Sequence, residues 1–209
     1  ELEHAKRVAE EIGIKHKVVF FDELTVPSIV RNDPQRCYHC KKEILQLLNT
    51  VRRELGFNVI LEGSNASDKN AYRPGKKAIQ EAEEPVFSPY LDLDVTKDEI
   101  RQMASNFGLS VSSRPPSPCL ASRFPYGNAL TEEAIKRVEL AENFLSDLGF
   151  TELRVRDHNG MARIELHPFD FKEMFLHREK ITSYFRRIGF DYVTLDLDGF
   201  RSGSMDEVL

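Results

Sequence analysis

The amino-acid sequence predicts an α/β domain with a parallel sheet and covering helices at residues 1–126, followed by a small α+β domain at 127–209. Two observations support this division. In the first part, amphipathic helical patterns alternate with short apolar runs, which is typical of a parallel sheet buried under helices. After residue 127 the order changes to helix, strand, strand, helix and strand, which is typical of a compact α+β unit.

Three amphipathic helices and two buried strands are predicted in the first domain. Each helical pattern ends before a glycine, which is typical of a helix C-terminus. Thr96 and Glu99 also match a capping box at the start of the third helix. The predicted helices cover 2–12, 41–55 and 97–106, and the predicted strands cover KVVFF (17–21) and NVILEG (58–63).

The second domain is predicted to begin with a helix over 131–148 and to continue with a β-hairpin. Asn159 and Gly160 separate the segments ELRVRD and MARIEL, and Asn-Gly is a strong signal for a two-residue hairpin turn. Asp170 and Glu173 match a second capping box, which predicts one continuous helix before the final segment. That segment, YVTLDL, predicts a closing strand.

The composition is that of an ordinary globular protein, with 41% hydrophobic and 30% charged residues among 209. The net charge of −5 argues against nonspecific binding to nucleic acids. No apolar run approaches the roughly 18 residues needed to cross a bilayer, and no basic-then-apolar leader is visible. The three cysteines are too few for a disulfide scaffold, so reduced thiols and a cytoplasmic location are expected.

These three cysteines form the first candidate site. Cys37 and Cys40 form a C-x-x-C motif at the entry to a helix, where the helix N-terminus favours thiolates. With Cys119, in the segment SPCLASRFPYG, they are candidate ligands for zinc or an iron–sulfur cluster, and ligand counting does not separate the two. A redox dithiol would leave Cys119 unexplained, and thiol chemistry without metal would need only Cys119. A reduced, half-buried cysteine pair without a function is the remaining alternative.

Arginines in the second domain form another candidate site, for phosphate. Arg154 and Arg156 alternate along one strand and therefore share a face, with Arg163 on the paired strand. Arg201 lies in the segment GFRSG, where the glycines permit close approach of the backbone. Guanidinium groups bind phosphate in a bidentate manner that lysine does not reproduce. The alternative is that these are solvated surface arginines.

Carboxylates near the predicted sheet form a third candidate site. Glu62 and Asp68 lie around a polar loop, 64–75, that leaves the end of the second predicted strand. In open α/β sheets, ligands bind outside the carboxyl ends of the strands, and a carboxylate there is able to hold Mg²⁺ that bridges to nucleotide phosphates. Three later carboxylates belong to the same candidate set: Glu142, Glu165 and Glu173. Most acidic residues, including Glu142 and Glu173 when each is taken alone, are interpreted as surface charge.

Four segments in this order carry a family resemblance: EGSNASDKNAYRPG, SPCLASRFPYG, LRVRDHNGMARIEL and YVTLDLDGFRSG. Along its whole length the chain resembles the LarE family of sulfur transferases, which have the PP-loop ATP-pyrophosphatase fold and build the nickel-pincer nucleotide cofactor. The resemblance implies that ATP and Mg²⁺ adenylylate a carboxylate of pyridinium-3,5-biscarboxylic acid mononucleotide. A sulfur nucleophile then displaces AMP and forms a thiocarboxylate, because adenylylation gives a poor electrophile a leaving group.

The resemblance also assigns roles to residues of this chain. Cys119, Ser122 and Arg123 are expected near the reacting centre. The phosphate of the mononucleotide is expected to bind Arg154, Arg156 and Arg201. The loop near AMP and the metal is expected to contain Glu62, Gly63, Asn65 and Asp68.

Two branches of the resembled family differ in their sulfur source. One branch sacrifices the cysteine at the position of Cys119, and the other binds a [4Fe–4S] cluster through a C-x-x-C pair and this cysteine. Cys37 and Cys40 match the second branch, so Cys119 is expected to be a cluster ligand. The sacrificial mechanism, tRNA thiolation by a relative of the same superfamily, and a non-catalytic zinc- or nucleotide-binding module stay open as alternatives.

The phosphate-binding motif SGG-x-DS of the resembled family is absent from the sequence. Because the chain begins at Glu1 within a helical pattern, this motif and its strand are expected to lie upstream. The resemblance also predicts a homo-oligomer that binds the mononucleotide and ATP. From the net charge and the lack of long apolar runs, no nucleic-acid or membrane partner is expected.

Overall fold

The computed structural model describes residues 2–69, 72–114, 117–201 and 203–207 as a mixed α/β protein with helices and a parallel strand pair. Residues 70–71 of the predicted polar loop lie outside this part of the chain. Within these ranges, every helix is too short or too polar to cross a membrane. Helices α1–α9 cover Leu2–Ile12, Pro27–Val30, Arg36–Glu54, Gly75–Gln80, Pro89–Asp92, Lys97–Asn106, Glu132–Asp147, Phe171–Leu176 and Arg178–Arg187, and strands β1–β5 cover Ile60–Leu61, Val86–Phe87, Leu153–His158, Met161–Leu166 and Tyr192–Leu195.

The chain divides into two compact units. Unit 1 consists of Glu1–Asp22 and Cys37–Ser117, and unit 2 consists of Glu23–Arg36 and Pro118–Leu209. The segment 118–126, which the sequence analysis placed in the first domain, is therefore part of unit 2. The division into two functional domains after residue 126 stays a prediction.

Unit 1 contains the parallel strand pair and all three helices predicted for the first domain. β1 and β2 are parallel, which confirms the predicted parallel pairing of strands. β1 was predicted to be buried, but Leu61 on this strand is 65% exposed. α3 begins one residue before Cys37, so the prediction that the cysteine pair lies at a helix entry is confirmed. The capping box of α6 is also confirmed, since Thr96 accepts from Glu99 N at 3.3 Å and donates its own N–H to Glu99 at 2.7 Å.

The predicted strand KVVFF (17–21) is wrong, because the structure has no strand there and Phe20 is 87% exposed. A strand requires a neighbour that takes up its backbone N–H and C=O groups. In the described part of unit 1, β1 and β2 pair only with each other. The apolar run was visible in the sequence, but its lack of a pairing strand was not.

A three-stranded sheet in the order β3-β4-β5 forms the centre of unit 2. β3 and β4 are antiparallel, and β4 and β5 are parallel. One face of this sheet packs against α7 and α9 and contains fully buried apolar residues such as Val155 and Ile164. The opposite face carries alternating charged residues, with Arg154 opposite Glu165 and Arg156 opposite Arg163. The sheet therefore separates an apolar core from a charged layer.

The β3–β4 hairpin is confirmed, but the second predicted capping box is wrong. Asn159 and Gly160 have φ values of 55° and 90°, the left-handed conformation that a type I′ turn requires at both positions. Asp170 makes no side-chain cap, because it already has helical backbone angles within a turn that follows Pro168, whereas an N-cap residue is extended. The predicted continuous helix is also divided at His177 into α8 and α9.

Candidate active site

Cys119 lies in unit 2 immediately before a short 3-10 turn at Leu120–Arg123. Cys119 is exposed, and its sulfur is a thiol that is not part of a disulfide. The backbone of the turn is held by Ser122, whose N–H and hydroxyl both donate to the carbonyl oxygen of Cys119, at 3.0 and 2.8 Å. The structure therefore presents an accessible thiol on a hydrogen-bonded turn, and Ser122 contributes directly to that turn.

Arg123 is buried, with only 4% of its side chain exposed, and it connects the Cys119 turn to α7. Its Nε and Nη2 donate to the two carboxylate oxygens of Glu142, each at 2.9 Å. Its Nη1 donates to the carbonyl oxygens of Pro118 and Cys119, at 3.1 and 3.3 Å, and to Ser122 Oγ at 2.9 Å. The guanidinium therefore holds the turn that carries the thiol.

The charged layer on the sheet is organised around Glu165, which is fully buried. Its carboxylate accepts hydrogen bonds from Arg156 Nη2 at 2.7 Å, Arg163 Nη2 at 3.0 Å and Ser204 Oγ at 2.8 Å. Arg156 also donates from Nη1 to the carbonyl oxygen of Ser122 at 2.9 Å. The predicted phosphate-binding strand is thereby hydrogen-bonded to the turn that presents Cys119.

Four buried side-chain nitrogens of unit 2 have no hydrogen-bond partner among the described residues. They are Arg156 Nε, His158 Nε2, Arg163 Nε and Arg201 Nη1. Arg201 Nη1 does lie 3.3 Å from Asp198 Oδ2, which is an ion-pair distance without hydrogen-bond geometry. Unsatisfied buried donors cost free energy, so they favour a ligand or water that offers oxygen acceptors. Three of the four belong to guanidinium groups, whose charge and geometry favour phosphate or carboxylate.

The two other predicted phosphate ligands differ in their surroundings. Arg154 is half-buried, and burial together with the charge of Arg123 lowers its pKa. Its guanidinium lies over the ring of Phe200, 5.1 Å from the ring centre. Arg201 binds both carboxylate oxygens of Glu207 at 3.1 Å, and this contact raises its pKa. Glu207 therefore occupies the Nε–Nη2 edge of the Arg201 guanidinium.

In unit 1, Glu62 follows β1 directly and lies at the carboxyl end of that strand. Its carboxylate accepts hydrogen bonds from Ser64 Oγ at 2.9 Å and from Ser88 Oγ, and Lys41 Nζ lies 3.6 Å away. Burial disfavours the charged form, but these hydrogen bonds and the charge of Lys41 outweigh it, so the pKa of Glu62 is lowered. Glu62 is therefore an ionised carboxylate in a polar pocket of its own unit.

The loop after Glu62 is closed by Asn65 and Asp68, which form a capping box around a short 3-10 turn. Asp68 Oδ2 accepts from Asn65 N at 3.1 Å, and Arg73 lies 2.9 Å from Asp68 Oδ1. Gly63 leaves open space, because a Cβ atom placed there would meet nothing within 4 Å. In the described part of this loop both carboxylates have protein partners, so Mg²⁺ binding by Glu62 or Asp68 would replace some of these contacts.

Cys37 and Cys40 lie three residues apart in the first part of α3, which places both thiols on one side of the helix. Cys37 is exposed and Cys40 is partly exposed. α4 approaches this turn closely, since a Cβ atom at Gly75 would lie 3.4 Å from the carbonyl oxygen of Cys37. Across the described residues, no group of three or more His, Cys, Asp and Glu side chains is arranged to hold a metal ion.

The similarity to known proteins extends over the whole chain. An uncharacterized protein of Synechocystis is 39% identical over 211 residues, which is 100% of this chain and 78% of that protein. Pyridinium-3,5-bisthiocarboxylic acid mononucleotide synthase of Lactiplantibacillus plantarum is 37% identical over 209 residues, which is 100% of this chain and 75% of the synthase. The chain belongs to this synthase family. No protein-family model matches it.

Membership of the synthase family confirms that the chain is an enzyme of the sulfur-transferase class. A more distant relative, the tRNA-specific 2-thiouridylase MnmA of Clostridioides difficile, is 25% identical over 174 residues, which is 70% of this chain and 48% of MnmA.

In this member of the synthase family, two carboxylates of the third candidate set are fully or largely buried beside arginines. Glu142 was interpreted as surface charge, but its side chain is only 15% exposed and pairs with Arg123. Glu165 is fully buried under Arg156 and Arg163. The alternation of charges in MARIEL was a usable signal, because it places Glu165 on the same face as Arg163. The interpretation of Glu173 as surface charge is confirmed, since its side chain is 56% exposed.

Proposed function

We propose that this chain catalyses ATP-dependent conversion of a carboxylate of pyridinium-3,5-biscarboxylic acid mononucleotide into a thiocarboxylate. The full-length similarity to the named synthase supports the substrate and the product. The observation that carries the proposal is the 2.9 Å hydrogen bond from Arg156 Nη1 to the carbonyl oxygen of Ser122. This bond holds the Cys119 turn beside strand β3, which carries Arg154 and Arg156. A sulfur-bearing turn and an anion-binding strand are thus parts of one hydrogen-bonded assembly.

In the proposed reaction, Arg154, Arg156 and Arg201 bind the phosphate of the mononucleotide. The support is chemical: Arg156 and Arg201 each have a buried nitrogen without a hydrogen-bond partner in the described residues. A phosphate oxygen accepts such N–H groups, and binding would orient the pyridinium ring through its phosphate. At Arg201, Glu207 holds Nε and Nη2, so Nη1 is the donor proposed for the phosphate.

We assign the nucleotide to the loop after β1. Glu62, Gly63, Asn65 and Asp68 follow the carboxyl end of a parallel strand, which is where ligands bind in open α/β sheets. The open space at Gly63 allows close approach of a ligand to the backbone. Mg²⁺ belongs to the proposal as the counter-ion of the ATP phosphates, but no step is assigned to it because Glu62 and Asp68 are engaged with protein groups.

For the sulfur source, we propose a [4Fe–4S] cluster held by Cys37, Cys40 and Cys119. The support is the pair of thiols on one side of α3 and the accessible thiol of Cys119. When bound through three thiolates, such a cluster offers one iron position for an exogenous sulfide. The alternative within the same reaction is sacrifice of the Cys119 sulfur. A cytoplasmic location and a homo-oligomer remain predictions.

Anaerobic purification followed by a thiocarboxylate assay tests this proposal. We expect a brown protein with stoichiometric iron and acid-labile sulfide that converts the mononucleotide in the presence of ATP and Mg²⁺. Cys37→Ala, Cys40→Ala and Cys119→Ala should each lose both the cluster and sulfur transfer. Conversion without iron, with loss of one H₂S mass from Cys119, would favour the sacrificial mechanism. A colourless, zinc-loaded protein without conversion would contradict the proposal.

A further inference from the structure

We infer that Glu142 is a positioning residue that fixes Cys119 through Arg123. This inference rests on one part of the proposed function, namely that the sulfur of Cys119 takes part in sulfur transfer. The carboxylate of Glu142 binds Arg123, and Arg123 in turn donates to the carbonyl oxygen of Cys119, so the effect on the turn passes through the guanidinium.

The Arg123 guanidinium divides its N–H donors between Glu142 and the turn that carries Cys119. Two of its nitrogens donate to Glu142 at 2.9 Å, and the third donates to the carbonyl oxygens of Pro118 and Cys119 and to Ser122 Oγ. A planar guanidinium holds its donors in fixed directions, so the carboxylate on one edge determines where the opposite edge points. Glu142 therefore sets the orientation of the donors that hold the thiol-bearing turn.

Glu142 also contacts strand β3, which carries Arg154 and Arg156. Glu142 Oε1 also accepts the backbone N–H of Val155 at 3.0 Å, and Val155 lies between Arg154 and Arg156 on β3. One carboxylate thus binds both the cation that holds the Cys119 turn and the strand proposed to hold the substrate phosphate. Misplacement of reacting groups by about 1 Å can reduce a rate roughly 100-fold. Loss of the Glu142 carboxylate is therefore expected to lower the rate of sulfur transfer by moving the Cys119 turn relative to β3.

α7 provides a matched control for this charge. Glu139 lies three residues before Glu142 on the same helix, but its side chain is 44% exposed and pairs with Lys136 at 2.7 Å. Glu139→Gln removes one negative charge from the same helix without touching the turn. Glu142→Gln keeps the side-chain volume and one oxygen acceptor, but it removes the carboxylate that binds Arg123 in a bidentate manner.

The test compares these two variants in the complete protein by hydrogen exchange of the peptide 118–124 and by steady-state kinetics. For Glu142→Gln we expect exchange of the Ser122 amide to accelerate about 10-fold or more, since this amide donates to Cys119. We expect kcat to fall about 10- to 100-fold while KM for the mononucleotide stays within about 3-fold. Glu139→Gln should match the parent in both measurements.

Two results would overturn the inference. One is parental exchange and parental kcat in Glu142→Gln; the other is a higher KM with unchanged exchange, which would make Glu142 a ligand-binding group instead. If Glu142→Gln does not fold, Glu142→Asp, which withdraws the carboxylate by one methylene, carries the same comparison. Because hydrogen exchange needs no turnover, it tests the positioning role even if the parent protein makes no thiocarboxylate, which would count against the proposed function alone.

Discussion

Among the individual residues of unit 2, two buried arginines each have a carboxylate at hydrogen-bonding distance. Arg123 pairs with Glu142, and Arg156 pairs with Glu165. A guanidinium that leaves water requires acceptors for its charge and its N–H groups, and loss of one partner typically costs about 3–5 kcal/mol. Substitution of these arginines would therefore change stability as well as any catalytic role.

At the same scale, Glu62 predicts how the stability of unit 1 depends on pH. Its pKa in the folded protein is below the ordinary value of 4.5, so the unfolded chain binds this proton more readily. Ionised Glu62 therefore contributes stability above pH about 5, and this contribution is lost as pH falls through its lowered pKa. We expect the Glu62→Gln variant to have a lower urea midpoint than the parent at pH 7. Between about pH 5 and pH 3 the variant should then lose less stability than the parent does, because it has no carboxylate to protonate at this position.

Glu83→Gln is the control for Glu62→Gln, because Glu83 is an exposed carboxylate in the same unit. Its urea midpoint should follow that of the parent across this pH range. A Glu62→Gln protein whose acid sensitivity equals that of the parent would show that the hydrogen bonds from Ser64 and Ser88 do not stabilise the ionised form.

At the scale of elements, the turn after β5 determines where Phe200 and Arg201 lie. Phe200 N donates to the carbonyl oxygen of Leu166 at the end of β4, at 2.9 Å. Gly199 has a φ of 74°, and a Cβ atom there would lie 2.6 Å from that same oxygen. Only glycine satisfies both the left-handed backbone and the close approach.

Gly199→Ala should therefore destabilise the protein by about 2–4 kcal/mol, as the sum of left-handed strain and a forced shift of the backbone. Gly149→Ala isolates the first contribution, because Gly149 has a φ of 100° but an added methyl group there would meet nothing within 4 Å. It should cost about 1–2 kcal/mol. Urea denaturation measures both, and equal losses in the two variants would contradict the close-approach argument.

At the scale of the whole molecule, the net charge favours the proposed mononucleotide over tRNA as the substrate. The net charge of −5 opposes broad contact with a polyanion, although local arginines still bind a single phosphate. The similarity to MnmA makes tRNA the natural competing substrate.

We expect the protein to bind bulk tRNA no more tightly than about 10⁻⁵ M at physiological salt, within the range of nonspecific binding. Fluorescence polarisation with labelled tRNA measures this, with MnmA of Clostridioides difficile as the positive control. Tight binding that weakens steeply between about 50 and 200 mM salt would instead support tRNA thiolation.

Local patterns predicted much of the fold because they depend on neighbours in the sequence. The α6 capping box and the Asn159–Gly160 turn each involve residues a few positions apart, and both form. The failures involve context: KVVFF (17–21) lacked a pairing strand, and the turn after Pro168 had already made the backbone of Asp170 helical. Apolar spacing predicts what an element could be, whereas pairing decides whether it forms.

The sequence by itself determined the family, the α7 helix and the β3–β4 hairpin of unit 2, and the residue types available for sulfur and phosphate chemistry. Only the tertiary structure decided that Arg123 faces Glu142 and the Cys119 carbonyl, and that Glu165 is buried beneath Arg156. The reason is that burial changes the meaning of a charge: a carboxylate that would be solvated on a surface must pair with a cation in the interior. Burial depends on residues far apart in the chain, which no local pattern contains.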